Sequence, residues 1–483
     1  MSRSSISPLV ENEAKNEVAN AWTNGTAPPM TPQRKELVEL PPLKQSNGTP
    51  VNGTPLVKRH IVPPKAMETT VSLEIEENEK GMSSLDYRKD INMEFYLLLG
   101  PLIKCMSLFG LWHGYVVDPV HNPPPKTTFK RIFNQKNYCI FAQVLLWFNT
   151  LRYAPAFFVG SYIDPIKLVP KVIFSIFTLQ CALNSSVFFY CLSKKDKVSI
   201  FFHHFELAIQ SNPTTAVDKT WLKRASWACT VVAIIFMVVH CLNQAANAYL
   251  PIETFRNNSL VFIAPMYYSA PLHAFFGIIY LYNFAAWIFP LLFFVLICII
   301  LSRQFVKLDQ RLERSLRKAR IDGCFPKDFE VLRRQHEALA TALDTSNDGL
   351  FTYVNLVTYA TMAPLAVFLL YRIITSPSYQ LGLSGWFFYW TWMINIFINV
   401  IIVSWIAAIT STKAHDPRER LFLVNLWNIT NEEIMQMNVF LNRVSGDPMG
   451  YTIFDLVTIT KPFILTIGGL LLTFYAIISE FNA

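Results

Sequence analysis

Residues 271–301 read PLHAFFGIIYLYNFAAWIFPLLFFVLICIIL, with no Asp, Glu, Lys or Arg among them. An α-helix needs about 20 apolar residues to cross the hydrocarbon core of a bilayer, and this run exceeds that length. In lipid the backbone must satisfy its own hydrogen bonds. A run this long does so as a helix rather than as a barrel strand of about ten residues. The stretch therefore predicts a membrane-spanning helix.

Six further segments of the chain are similarly apolar. They comprise residues 137–160, 170–192, 225–250, 349–375, 385–411 and 454–481, which makes 271–301 the fourth of seven. Only 16% of the 483 residues are charged, compared with about 25% in a soluble domain. We therefore predict an all-α, polytopic fold in which residues 137–481 form a bundle of seven transmembrane helices.

Two segments precede this bundle. Residues 1–90 are polar and rich in Pro, with too little apolar surface to offset the entropy of folding, so we predict a disordered cytosolic tail. Residues 94–118 are apolar but are interrupted by Gly100, Pro101 and Lys104. A charge near the bilayer centre costs about 2.5–3.5 kcal/mol. The segment is therefore predicted to be a re-entrant or interfacial helix, and a full span is the alternative.

The charges of the loops predict the orientation. The loops after segments two, four and six contain twenty Lys and Arg residues, whereas the opposite side has three, namely Lys167, Arg256 and Arg372 near the end of segment five. Loops rich in positive charge stay in the cytosol, so the amino terminus is expected inside and the carboxyl terminus outside the plasma membrane. Asn257 is then a glycosylation candidate in an outside loop. Other Asn-x-Thr sequons fall on the inside, and the charge count receives more weight.

The loop after segment four is predicted to be helical. Leu308, Leu312 and Leu316 recur every four residues among charged side chains, which indicates an amphipathic helix. A Gly-Cys-Phe-Pro break at 323–326 separates it from a second helical run. We predict a cytosolic helical region over 303–348 that continues segments four and five, and two helices lying on the membrane surface are the alternative.

Several other function classes lack support. The net charge of +8 lies in loops, where it orients the chain, so nucleic acid is not an expected partner. Nucleotide-binding, metalloprotease and hydrolase motifs are absent, and neither the eight cysteines nor His203-His204 with Glu206 complete a metal site. We expect no enzyme activity, metal or cofactor. The motifs of G-protein-coupled receptors are missing, and no inverted repeat suggests a transporter.

The last predicted helix contains Thr473-Phe474, five mostly apolar residues and then Glu480-Phe481. This stretch resembles the carboxyl-terminal motif of the invertebrate gustatory receptor family, sister to the insect odorant receptors: Thr-Tyr, five mostly apolar residues, Gln-Phe. Spacing, Thr and the final Phe match, whereas Phe474 and Glu480 replace Tyr and Gln. The expected orientation and the long helices beyond segments four and five also resemble this family. The replacement of Gln by Glu480 makes the motif more similar to that of the divergent nematode branch of the family, which includes light-sensing and behaviour-regulating members.

The resemblance implies a sensory receptor that is itself a ligand-gated, non-selective cation channel of neuronal cells. Four identical subunits, or this chain with a related receptor, would enclose a central pore lined by the last helices. The family's hydrophobic gate falls at Ile477 and its last constriction at Glu480 and Phe481. The stimulus would be a small molecule or another sensory signal such as light.

Two alternatives stay open at this point. A ring of four Glu480 carboxylates would favour cations, but Glu480 could equally be the solvated end of a helix. The whole chain could instead be a non-conducting receptor of the same fold. It would then regulate neuronal activity or behaviour through a cytosolic partner such as a G protein.

The resemblance also implies a ligand pocket among the outer halves of the middle helices. Polar residues inside a membrane usually face the bundle interior and often mark function, although each could simply form an interhelical hydrogen bond. The candidates at matching depth are His240, Gln244, Asn247, Tyr280, Asn283, Trp287, Trp390 and Asn395. Arg152 is expected to point outward. Trp386, Trp390, Trp392 and Trp405 crowd one helix, as an interfacial belt or as a light-absorbing cluster.

Overall fold

The computed structural model describes residues 98–113, 134–158, 165–193, 197–210, 218–249, 266, 269–375, 378–422, 424 and 429–481. The helices are α1 (Gly100–Leu108), α2 (Gln135–Leu151), α3 (Tyr153–Ala156), α4 (Pro165–Ser193), α5 (Lys197–Gln210), α6 (Lys219–Tyr249), α7 (Ala270–Asp322), α8 (Phe329–Ser346), a π-helix (Asn347–Phe351), α9 (Thr352–Thr375), α10 (Ser378–His415), α11 (Pro417–Leu421), α12 (Asn431–Ser445) and α13 (Lys461–Phe481). Strands β1 (Thr452–Ile453) and β2 (Val457–Thr458) form an antiparallel hairpin before α13.

The predicted all-α membrane fold is confirmed. Six helices among the described residues are long and apolar enough to cross a membrane. They contain the ranges Leu168–Ser193, Lys219–Asn243, Ala270–Asp322, Phe329–Thr375, Tyr389–Leu421 and Lys461–Glu480. The predicted tail at 1–90 lies outside the described residues, so its disorder stays a prediction.

The first predicted segment, 137–160, is not one helix. α2 ends at Leu151, and the four-residue α3 follows after Arg152. The break falls where Pro155 has no backbone N–H to donate to the carbonyl of Leu151, four residues earlier. With 17 residues, α2 measures about 25 Å, slightly less than the ~30 Å hydrocarbon core.

The last predicted segment begins later than expected. Residues 454–460 belong to the hairpin and its connection, and α13 starts at Lys461. Phe454 and Asp455 adopt positive φ angles of 50° and 56° in the hairpin turn, which a helix does not allow. Prediction from apolar composition missed this turn because Phe454, Leu456 and Val457 suit a helix and a strand equally well.

The segment before the bundle contains a short helix. α1 has nine residues, about 13 Å, so it cannot cross the hydrocarbon by itself. Its Leu102, Ile103 and Met106 are buried, whereas Lys104 is exposed. The assignment of 94–118 as re-entrant or interfacial stays a prediction.

α7 is a single helix of 53 residues, about 80 Å long. It passes through the apolar run of segment four and continues without interruption to Asp322. The cytosolic placement of 303–348 stays a prediction. α7 ends at Gly323, whose φ of 64° suits the left-handed conformation that closes many helices.

The chain turns back as α8, which packs against the far half of α7. Leu308 and Leu312 of α7 and Leu332, Leu339 and Leu343 of α8 are all buried in this region. α12 adds Phe440, whose ring lies 5.9 Å from that of Phe329 and 5.1 Å from the imidazole of His336. Burial of these apolar side chains is the main stabilising term for a helical unit of this kind.

Ion pairs join the same helices. Arg420 of α11 donates two hydrogen bonds to Asp309 of α7, at 2.6 and 2.8 Å. Arg443 of α12 contacts Asp344 of α8 at 3.2 Å and Glu337 at 3.4 Å. The two-pronged Arg420–Asp309 pair fixes a geometry as well as a distance, because guanidinium and carboxylate are both planar.

The hairpin before α13 is attached to the π-helix. The side-chain amide of Asn347 donates to the Thr452 hydroxyl at 2.9 Å, and the Thr452 backbone N–H donates to Asn347 Oδ1 at 2.9 Å. Asn355 donates to the Thr452 carbonyl at 3.1 Å. Tyr451 is fully buried, its hydroxyl 3.0 Å from Ser346 Oγ and its ring 4.8 Å from that of Phe294. These contacts hold the base of α13 on the end of α8.

Replacement of Thr452 by Val should destabilise this junction. Val has nearly the same shape but removes the hydroxyl. The side-chain nitrogen of Asn347 then loses one hydrogen bond and keeps its bond to Asp348 Oδ1 at 3.2 Å, so the cost is about 0.5–1.5 kcal/mol. We expect a lower melting temperature of the purified protein, measured by tryptophan fluorescence. The control is Thr458→Val, since Thr458 lies directly opposite Thr452 in the hairpin. Equal shifts in both variants would contradict the role of the Asn347–Thr452 pair.

Candidate functional sites in the membrane-spanning helices

Buried rings from four long helices meet in the middle of the bundle. This aromatic cluster consists of Phe177 of α4, His240 of α6, Tyr280, Phe284 and Trp287 of α7, and Trp392 of α10, all buried. The ring of Phe177 lies 5.0 Å from that of Trp392 and 5.6 Å from that of Trp287, both edge-on. Such contacts favour aromatic pairs beyond the burial of their surface.

The two tryptophans of the cluster are parallel neighbours. The ring centroids of Trp287 and Trp392 are 6.4 Å apart, with an angle of 18° between the ring planes. The sequence predicted Trp287 as a pocket residue but placed Trp392 only in the tryptophan-rich helix. Its partner Phe177 was not predicted, because the chain contains 38 Phe residues and nothing in its neighbourhood distinguishes this one.

Polar atoms lie within and beside these rings. His240 stacks on Phe284 with 4.7 Å between centroids and approaches Phe236 at 4.2 Å. His240 Nε2, Asn283 Oδ1 and Trp287 Nε1 are buried and have no hydrogen-bond partner among the described residues. Buried polar atoms are normally hydrogen-bonded. A mostly aromatic site that contains a few polar atoms has the residue composition typical of small-molecule pockets.

A buried arginine extends the cluster toward α2. Arg152 was expected to point outward, and this is wrong, because the side chain is buried. Its Nε donates to Asn149 Oδ1 at 2.7 Å, and its guanidinium lies 4.0 Å from the ring centre of Phe276. This hydrogen bond and the cation–π contact offset the loss of hydration that accompanies burial of the charged guanidinium group.

Tyr153 connects this arginine to the aromatic cluster. Arg152 Nη2 donates to the Tyr153 hydroxyl at 3.2 Å, and that hydroxyl lies 2.8 Å from the hydroxyl of Tyr280. A continuous polar chain therefore runs from Asn149 to the cluster. The interruption between α2 and α3 places Arg152 and Tyr153 at the centre of this polar chain. Pro155 was the sequence feature that could have indicated the interruption.

The remaining predicted pocket residues do not all join the cluster. Trp390 is 41% exposed, and two residues along a helix place it on a different face from Trp392. Asn395 is half-buried and donates to the Thr391 carbonyl of its own helix at 2.9 Å. The side chains of Gln244, Asn247 and Trp386, and all of Asn257, lie outside the described residues. The structure thus brings together His240, Tyr280, Asn283 and Trp287.

α13 has an unusual position for an apolar helix. It rests against α9 and α10, with the Phe463 ring 5.4 Å from that of Tyr359. None of its side chains between Lys461 and Glu480 is buried within the chain. Leu472 is 70% exposed and Ile477 is 43% exposed.

One exposed face of α13 carries the predicted pore residues. Thr466, Leu470, Thr473, Ile477 and Glu480 follow at alternating intervals of four and three residues, so they share this face. Both threonine hydroxyls donate to carbonyls of their own helix, at 3.2 Å to Pro462 and 2.9 Å to Gly469. The side chain of Phe481 lies outside the described residues. Phe474, the other motif residue, lies nearby and is also exposed.

Two solved structures have the same fold. This chain aligns with the insect olfactory receptor OR5 from Machilis hrabei in complex with eugenol at a TM-score of 0.60 and 13% identity, over 82% of this chain and 100% of that one. A second OR5 structure gives a TM-score of 0.60 and 12% identity, over 80% and 99% of the two chains. No protein-family model matches the sequence, and no curated protein matches it. At this identity the likeness establishes the fold.

Replacement of Trp392 by Leu should destabilise the bundle by about 2–4 kcal/mol, because it leaves a cavity between four helices. Replacement of the exposed Trp390 by Leu removes the same group from the same helix and should cost about 0.5 kcal/mol. Thermal unfolding of the purified protein, followed by circular dichroism, compares the two. A Trp390→Leu effect as large as that of Trp392→Leu would contradict the packing described here.

Proposed function

We propose that copies of this chain assemble, as a tetramer or with a related receptor, into a ligand-gated cation channel whose pore is lined by α13. The observation that carries the proposal is the exposure of α13. It is a 21-residue apolar helix with no side chain buried in its own chain up to Glu480, so its outer faces need lipid or other subunits.

The polar stripe of α13 favours a pore over lipid on one face. Thr466, Thr473 and Glu480 lie on the face that also carries Leu470 and Ile477, whereas Leu465 and Leu472 lie to one side of it. A carboxylate facing hydrocarbon is costly, and a carboxylate facing a water-filled path is not. In a tetramer the Glu480 side chains would form a ring that attracts cations, and Ile477 would form an apolar constriction one turn away.

The resemblance of the carboxyl-terminal motif and the shared fold with OR5 both support a chemosensory role. We place the chain among gustatory-receptor-like proteins. The residue Glu480 favours the nematode branch of that family. The loop charges support an orientation with the α7–α8 extension in the cytosol and the carboxyl terminus outside the plasma membrane of a sensory neuron.

We assign ligand binding to the aromatic cluster. OR5 was solved in complex with eugenol, and the cluster here offers aromatic surfaces with the polar atoms of His240, Asn283 and Trp287 among them. A small apolar molecule with one or two hydrogen-bonding groups suits such a site. Binding would require some of these packed rings to move, which would couple the ligand to α4, α6, α7 and α10.

The parallel Trp287–Trp392 pair favours a second candidate, in which the cluster absorbs ultraviolet light. Two stacked indoles in a dry site would form the absorbing unit. Removal of either indole should then abolish a light response. A G-protein partner lacks support from the fold and is not proposed.

Cysteine accessibility tests the pore. In Ile477→Cys and Thr473→Cys, a cationic methanethiosulfonate reagent applied from the extracellular side should reduce the current severalfold, since both residues share the pore face. Leu472→Cys is the matched control, because Leu472 lies on another exposed face of the same helix. Recordings would use purified protein in planar bilayers, with the unmodified chain as control for Cys324. Equal block in all three variants, or no current from the unmodified protein, would refute the proposed pore.

Substitution of Glu480 tests the carboxylate ring. Glu480→Gln should weaken the preference for cations over anions, and Glu480→Lys should weaken it further, because the ring changes from negative to neutral to positive. Reversal potentials under a salt gradient measure this preference. Lys461→Gln, at the other end of α13, also changes one charge and should leave it unaltered. Unchanged reversal potentials in both Glu480 variants would remove Glu480 from the pore.

A further inference from the structure

A surface groove of about 470 Å³ lies where α7 ends and the chain turns back into α8. Four basic side chains line it, namely Arg311, Arg314, Lys318 and Lys327. Phe325 and Pro326 of the turn supply an apolar wall. We call this the basic groove. It lies at the end of the helical extension farthest along α7 from the aromatic cluster.

The cations of the basic groove differ from others in the same region. Arg333 pairs with Glu330 at 3.0 Å, Arg420 with Asp309 at 2.6 Å and Arg443 with Asp344 at 3.2 Å. None of the four groove cations forms an ion pair with a residue that the structure describes. Glu330, Asp309 and Asp344 therefore pair with other arginines, and the four groove cations come together without an ion-pair partner among the described residues.

Two acidic residues also line the basic groove, but they leave it positive. Asp328 already accepts a hydrogen bond from Ser315, and Asp322 is the second. Four positive charges face two negative ones, and the partial negative charge at the end of α7, about half a unit, does not reverse the balance. In addition, Arg311 Nη1 is buried and has no hydrogen-bond partner among the described residues. An unpaired buried guanidinium nitrogen is unfavourable until an acceptor meets it.

We propose that the basic groove binds a small soluble molecule carrying two or more phosphate groups. Two guanidinium groups offer the planar donor pairs that match phosphate oxygens, and two ammonium groups add charge. The volume is that of a small-molecule site. The inference does not depend on whether the chain conducts ions.

The length of α7 argues for a soluble molecule rather than a lipid headgroup. The apolar run ends at Leu301, and Lys318 follows 17 residues later in the same helix. At 1.5 Å per residue the groove begins about 15 Å beyond the hydrocarbon and reaches about 25 Å. The headgroup layer is only about 5–8 Å thick on each side. A phosphorylated lipid anchored in the bilayer therefore falls short of the basic groove.

Calorimetric titration of the full chain in phosphatidylcholine nanodiscs tests the proposal, with sodium tripolyphosphate as the probe. Arg311→Gln/Arg314→Gln should weaken binding at least tenfold, and Lys318→Gln/Lys327→Gln should weaken it severalfold. The matched control is Arg317→Gln/Arg320→Gln, which removes two charges from the same helix outside the groove and should change affinity less than twofold. No binding to the unmodified chain, or equal loss in the control, would overturn the proposal.

Two further titrations distinguish a soluble phosphate compound from a lipid headgroup and from an acidic peptide. Nanodiscs containing bisphosphorylated phosphatidylinositol should bind tripolyphosphate with unchanged affinity, because the lipid does not reach the groove. Competition by this lipid would overturn the assignment to a soluble molecule. A short polyglutamate peptide should bind at least tenfold more weakly than tripolyphosphate. Equal binding that is lost in Arg311→Gln/Arg314→Gln would identify an acidic peptide instead.

Discussion

The hydrogen-bonded pair of Asn347 and Thr452 connects the helix bundle to the hairpin that precedes α13, the helix on which the proposed function depends. Asn347 opens the π-helix between α8 and α9, and Thr452 begins the hairpin that leads into α13. Both groups of the Asn347 amide are used, one as donor and one as acceptor. α13 also rests against α9 and α10, so this attachment fixes the point at which the helix begins. π-helical turns often occur at functional positions, since their extra residue loosens the regular hydrogen-bond ladder.

Much of the fold could be predicted from the sequence, because lipid leaves the backbone few options. Runs such as 271–301 and 170–192 had to be helices, and they are. Details set by single contacts could not be predicted in this way. The break at Arg152 depends on Pro155, and the polar chain beside it is completed by Tyr280, 127 residues after Tyr153. The hairpin before α13 depends on Asn347, 105 residues earlier than Thr452.

The candidate site was predictable in part for the same reason. His240, Asn283 and Trp287 stand out in sequence because polar and indole groups are uncommon in apolar runs, and the structure places them together. Trp390 stood out equally, but helical geometry turns it away while Trp392 turns inward. Phe177 lies at the centre of the aromatic cluster, although nothing in the sequence around it distinguishes it from other Phe residues. A residue acquires such a role only through the crossing of α4 with α7 and α10, which a pattern along one chain does not encode.

The continuity of α7 has a mechanical consequence. Trp287 in the membrane and Arg314 beside the basic groove belong to one helix, 27 residues apart. At 1.5 Å per residue this is a lever arm of about 40 Å, so a tilt of ~5° at the tryptophan would sweep the far end sideways by about 3–4 Å. A small rearrangement among the packed rings would thus displace the far end of α7 by about the diameter of a water molecule.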